Sequence, residues 1–139
     1  MSWAAIIGSL GAAVFAALSL LHVYWAFGGQ RASVGVIPHV GGKPVFKPSM
    51  RASLLVALAL AAACALMLFR IGALPWPFPD VLLQIALRVL GAAFALRAIG
   101  DFKLVGLFKR VRGTRFAQLD SWLFCPLCIA LASAAFFLA

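Results

Sequence analysis

Charged positions are so sparse along this chain that they divide it into blocks. Residues 3–27 carry no formal charge. A stretch rich in glycine, proline and bases follows, and then a second apolar run, residues 52–74, broken only by Ser53 and Arg70. A third run, residues 81–104, is long enough to match these but is interrupted by Gln84, Arg88, Arg97 and Asp101. The fourth, residues 121–139, again lacks a formal charge. A helix crossing about 30 Å of hydrocarbon needs about 20 mostly apolar residues. The pattern therefore predicts four transmembrane helices, over about 3–27, 52–74, 81–104 and 121–139. The expected fold is all-α, a four-helix transmembrane bundle forming one integral membrane domain. "LPWPFPD" (residues 74–80) is predicted as a turn, because three prolines in five residues cannot sit inside a helix. Residues 28–50 read as an irregular linker lying on the lipid headgroups.

Composition agrees with that reading. Of 139 residues, 65% are hydrophobic and 11% charged, with mean hydropathy +1.10. A soluble domain of this size could not bury so much apolar surface. The net charge of +9 would suggest nucleic acid in a soluble protein, but here the bases collect between apolar runs, so no nucleic-acid partner is expected. The first loop, extended to the helix start, has Arg31, Lys43, Lys47 and Arg51, and the third has Lys103, Lys109, Arg110, Arg112 and Arg115. The second has Arg70, with Asp80 nearby. The positive-inside rule then places loops one and three in the cytoplasm and both termini on the outer, periplasmic side of a bacterial inner membrane. Trp25 and Trp122 fall at the inner interface, and Trp3 and Trp76 at the outer one. The first apolar run has no basic start and exceeds a signal peptide core, so it reads as a retained helix.

Small residues at i+4 steps predict packing ridges: Ala4, Gly8, Ala12 and Ala16; Ala57, Ala61 and Ala65; Gly91 and Ala95. Arg97 and Asp101, one turn apart, are expected to pair. Arg88 points to the opposite face and is expected to snorkel outward. By rise per residue, His22, Arg97, Asp101 and Asp120 reach similar depth near the cytoplasmic boundary. With Tyr24 and Trp25 they form a candidate polar cluster. Intramembrane ionisable groups are costly and call for a role. A salt-bridge network that sets helix register and a site for a ligand or headgroup both remain open. Lys109, Arg110, Arg112 and Arg115 are expected to contact anionic lipid.

Three blocks, "HVYWAFGG" (residues 22–29), "RAIGDFKLVGLFKR" (97–110) and "FAQLDSWLFCPLC" (116–128), resemble those of small bacterial membrane proteins catalogued as domain of unknown function 3995. The resemblance spans nearly the whole chain. It implies a four-helix, membrane-embedded fold and supplies no substrate. The matching positions are His22, Tyr24, Trp25, Arg97, Gly100, Asp101, Gly106, Asp120, Pro126 and Cys128. The family pattern carries serine where this chain has Cys125, which puts a shared dithiol chemistry in doubt.

Cys125 and Cys128 have the CxxC spacing of redox thiols. A thiol or quinone oxidoreductase is therefore the alternative function. The expected topology sets the pair near the reducing cytoplasmic face, which favours packing roles. Cys64 reads as a small apolar residue. Two histidines, one in a helix and one in a loop, are too few for a metal or haem site, and no cofactor is expected. The reading is a membrane protein that is more readily a binder than an enzyme. Its cytoplasmic-side cluster would hold a lipid headgroup, a small anion or a partner subunit, and a homo-oligomer is also open. Cysteines introduced at Gly41, Gly113 and Pro77 test the orientation. An impermeant thiol reagent on intact cells should reach only Pro77→Cys; reaction at the other two from outside would overturn it.

Overall fold

The computed structural model describes residues 2–29 and 35–139; Arg31, counted among the first-loop bases, lies outside the described residues. Four long helical stretches form an all-α bundle. The first, α1, spans Trp3–Ala26, and α2 spans Met50–Arg70. The third, α3, spans Asp80–Ile99. The fourth stretch is continuous from Arg115 to Leu138: a short α4 (Arg115–Leu119), a π turn (Asp120–Phe124) and α5 (Cys125–Leu138). These stretches are 20–24 residues long and apolar enough to cross a membrane, roughly 30–36 Å at 1.5 Å per residue.

Local chemistry sets the ends. Ser2, Ser49 and Thr114 each accept a backbone N–H with the side-chain oxygen, capping α1, α2 and α4. The Thr114 cap starts the fourth stretch at Arg115, earlier than the charge pattern suggested. Gly72, at φ +76, stops α2 at Arg70 rather than Leu74. The backbone N–H of Ala73 then closes on the Leu68 carbonyl, a Schellman-type ending. Gly100, at φ +83, stops α3 at Ile99, so the helix does not run to Leu104. In the first loop, Gly41 and Gly42 both take positive φ and turn a two-residue hairpin, His39–Val40 against Lys43–Pro44. That is the backbone a primed hairpin turn requires.

The most extensive contacts join α1 to α2 and α3 to α5, with lighter seams where α1 meets α5 and α2 meets α3. Phe15, Met67, Leu87 and Ala135 are fully buried at the centre. Phe15 meets Phe94 edge to face, ring centroids 5.3 Å apart. Ser19 Oγ donates to the Ala57 carbonyl at 2.7 Å, stitching α1 to α2. The outward side chains are apolar too: Leu10, Leu20, Leu55, Leu58, Val89 and Phe137 are exposed. A soluble bundle would put polar groups there, so this inversion marks a membrane-embedded protein.

The buried stripe of α2 is Ser53, Ala57, Leu60, Ala63 and Met67, and Ala61 faces outward. Steps of four drift about 40° each, so Ala61 stands about 80° from Ser53, whereas mixed steps of three and four stay on one face. The α1 ridge fares differently: Gly8 and Ala12 are buried, while Ala4 is exposed. Gly91 is buried under the Phe136 ring, which would lie 3.0 Å from an added Cβ. At Gly8 a Cβ would overlap the Ile71 side chain, beside Leu138. Nearby, Arg70 Nε donates to the Leu138 carbonyl and its Nη1 pairs with Asp80 at 3.4 Å, tying three helices at this end. Gly8→Val should therefore lower the thermal midpoint in detergent by overpacking, about 1–3 kcal/mol. Ala61→Val, on the outward face, should leave it in place. Equal shifts would show that close approach at Gly8 is not what holds this end together.

Candidate functional site

The end of α3 and the loop after it fold back on each other. Gly100 and Gly106, at φ +83 and +93, let two backbone segments touch: a side chain at Gly100 would overlap the Val105 carbonyl, and one at Gly106 the Ile99 carbonyl. Leu107 N donates to the Ala98 carbonyl at 2.8 Å, and Asp101 N to the Val105 carbonyl at 3.2 Å. Asp101 organises the turn. Its Oδ1 accepts the N–H groups of Lys103 (2.9 Å), Leu104 (2.7 Å) and Val105 (2.9 Å). These bonds, that from Val105 foremost, hold its carboxyl below the usual carboxylate range.

The folded loop delivers two donors to Asp120, which is fully buried. Oδ1 accepts from Arg97 Nη2 at 2.8 Å. Oδ2 accepts from Gly106 N at 2.7 Å, from Lys109 Nζ at 3.2 Å and from Cys125 Sγ at 3.6 Å. Lys109 is 3% exposed. Its other contacts are the Gly106 carbonyl at 3.0 Å and Ser121 Oγ at 2.7 Å, which with Asp120 occupy all three ammonium hydrogens. Two cations on one carboxylate leave the cluster one positive charge in excess. Arg97 Nη1 is buried without an acceptor among the described residues. The π turn aims Asp120 inward. Cys125 N bonds the Asp120 carbonyl, five residues back. One residue on, Pro126 lacks the N–H that an unbroken helix would use there.

A second feature lies at the same end of the bundle. A groove of about 650 Å³ opens between the last turns of α1, the first turns of α2 and the first loop. His22, Trp25, Val36, Phe46, Lys47 and Ser53 are among its walls. His22 and Trp25 stack edge to face at 5.1 Å, and His22 Nδ1 bonds the Leu18 carbonyl at 2.8 Å. Tyr24 lays its ring over Gly29. Ser53 is 8% exposed, and its hydroxyl finds no hydrogen bond among the described residues. The first loop and α4 are neighbours: a Cβ on Gly35 would lie 3.1 Å from Arg115 Cγ.

The family model described as protein of unknown function DUF3995 matches residues 15–135. The chain belongs to that family. No curated protein and no solved structure matches it. The match runs across all three blocks that carry the resemblance, and so across both the Asp120 network and His22 and Trp25.

Within this DUF3995 chain, Arg97 pairs with Asp120 and not with Asp101. The reason is the break at Gly100: the helical i,i+4 geometry ends before Asp101, whose oxygen is taken by three amides. Asp101 is exposed. His22 and Trp25 line the groove and Tyr24 packs over Gly29, and the hydrogen bonds of Asp120 include none of the three. Lys109, expected on the lipid with Arg110, Arg112 and Arg115, is turned inward by Asp120; the other three are exposed. Sequence reasoning missed Lys109, Gly106 N–H and Ser121 as partners. The signal the sequence offered was an aspartate at the head of an apolar run, directly after a loop carrying Lys103, Lys109, Arg110, Arg112 and Arg115. Cys125 and Cys128 are free and buried, and Cys125 acts as a hydrogen-bond donor, a role a serine also fills. Among the described residues no three His, Cys, Asp or Glu side chains gather to hold a metal.

Removing one partner of a buried pair strands the other, a loss of about 3–5 kcal/mol. Asp120→Ala should cost on that order, since it strands Lys109. Lys109→Met should cost less, because Arg97 still answers Asp120. The double variant should be milder than the sum. Additive losses in a detergent unfolding cycle would show that the two groups are not coupled.

Proposed function

We propose that this protein is a non-catalytic, multi-pass protein of a bacterial inner membrane. Its basic end faces the cytoplasm, its termini face outward, and the groove beside α1 and α2 holds an amphipathic molecule with an anionic headgroup. The observation that carries the reading is the groove. Its volume lies within the roughly 300–1,000 Å³ of small-molecule sites, and its mostly apolar walls with a few polar groups follow the same pattern. Val36, Phe46 and Val56 suit an acyl chain, while Lys47 and the unanswered Ser53 hydroxyl suit phosphate oxygens. The start of α2 adds a favourable field for an anion.

Charge supports the orientation. Lys43, Lys47, Arg51, Lys103, Arg110, Arg112 and Arg115 are all exposed at the loop end, whereas the opposite end has Arg70 paired to Asp80. The cluster around Asp120 serves this end structurally: it fastens the second basic loop to the bundle, and its bonds are mostly to itself. The buried engagement of Cys125 with Asp120 also favours binding over thiol redox chemistry.

Native mass spectrometry with phosphatidylglycerol and phosphatidylcholine tests the proposal. The wild type should retain phosphatidylglycerol. Lys47→Glu should weaken retention about fivefold or more, at about 1 kcal/mol for each base near an anionic surface, and Val56→Trp should fill the groove and abolish it. Lys43→Glu, the same charge change outside the groove wall, should retain the lipid. A ligand-free wild type, or equal losses for Lys43→Glu and Lys47→Glu, would overturn the site.

A further inference from the structure

Arg88 sits eight residues after Asp80 and eleven before Ile99 on α3. That is about 12 Å from one end of the helix and about 16 Å from the other. The side chain is exposed on the outward face, among exposed Ile85, Val89 and Ala92. On a membrane-spanning helix that face meets hydrocarbon. Among the described residues Arg88 makes no hydrogen bond or ion pair. Gln84, one turn nearer the end, gives its amide to Asp80 at 2.7 Å.

Two ways of satisfying this charge fall short. An arginine side chain extends roughly 7 Å from its Cα, short of the roughly 12 Å between Arg88 and the nearer end of the helix. Snorkelling therefore leaves a gap. The chain itself has three acidic residues, Asp80, Asp101 and Asp120, and no glutamate. Asp80 is held by Arg70 and Gln84, Asp101 by three amides, and Asp120 by four donors. A second copy has the same three, and docked through the same face of α3 it would bring arginine against arginine.

Charges within a membrane pair with one another or line a polar cavity. We infer that the outward face of α3 docks a transmembrane helix of a different protein, carrying an aspartate or glutamate at the depth of Arg88. Ala92 and Ala93, small and exposed just beyond Arg88, allow that helix to approach closely.

The test uses purified protein in neutral phosphatidylcholine vesicles with a leucine-rich transmembrane peptide as probe, read by energy transfer. A peptide with one central glutamate should bind about tenfold more tightly than its all-leucine counterpart. Moving the glutamate one turn toward either end should weaken binding. Arg88→Leu should erase the advantage of the acidic peptide, and Arg88→Lys should keep part of it. Arg88 lies outside the core, so Arg88→Leu should leave the thermal midpoint unchanged. Equal binding of acidic and leucine peptides would overturn the inference. An advantage that survives Arg88→Leu would overturn it as well.

Discussion

One buried carboxylate organises the basic end of this molecule. Asp120 sits in a site with no solvent exposure, where an unpaired charge would be prohibitive. It is tolerated because Arg97 comes from α3, Lys109 and the Gly106 amide come from the loop, and Cys125 comes from α5. Four donors from three segments thus converge on two oxygen atoms. Each donor also depends on another feature. Gly106 can offer its N–H only because its backbone lies against Ile99, and that contact needs the turn Asp101 closes. The network is therefore a chain of dependencies as well as a salt bridge.

The division between what could and could not be read from sequence follows from geometry. Rise per residue gives depth, and depth placed His22, Arg97 and Asp120 at one end of the bundle. The angle around the helix is less secure, because a single irregular turn or break resets it. Gly100 breaks α3 before Asp101, so two charges four residues apart never become neighbours. The π turn shifts the face of Asp120 toward Arg97, 23 residues away, and no local spacing announces that. The four spans themselves were legible because the solvent they answer to imposes a length. Their ends were less so, because a serine or threonine cap or a glycine at positive φ decides them one residue at a time.

The packing separates two kinds of small residue. Gly8 and Gly91 are small because another side chain, Ile71 or Phe136, occupies the space a Cβ would take. Ala61 and Ala92 are equally small but face outward. Composition alone treats them alike. The alternating three-and-four spacing of Ser53, Ala57, Leu60, Ala63 and Met67 marks the true seam of α2. The heavier pairing of α1 with α2 and of α3 with α5 makes the bundle two hairpins laid side by side. The groove opens within the first hairpin, while the Asp120 network belongs to the second.

The π turn acts as a one-residue register shim. Excising one residue between Asp120 and Phe124 would restore ordinary winding and swing everything before it by about 100° about the helix axis. The carboxylate would then leave its two cations. Length, and not only residue identity, is thereby constrained at this spot: a single-codon deletion in an otherwise permissive apolar helix would disconnect the basic loop from the bundle.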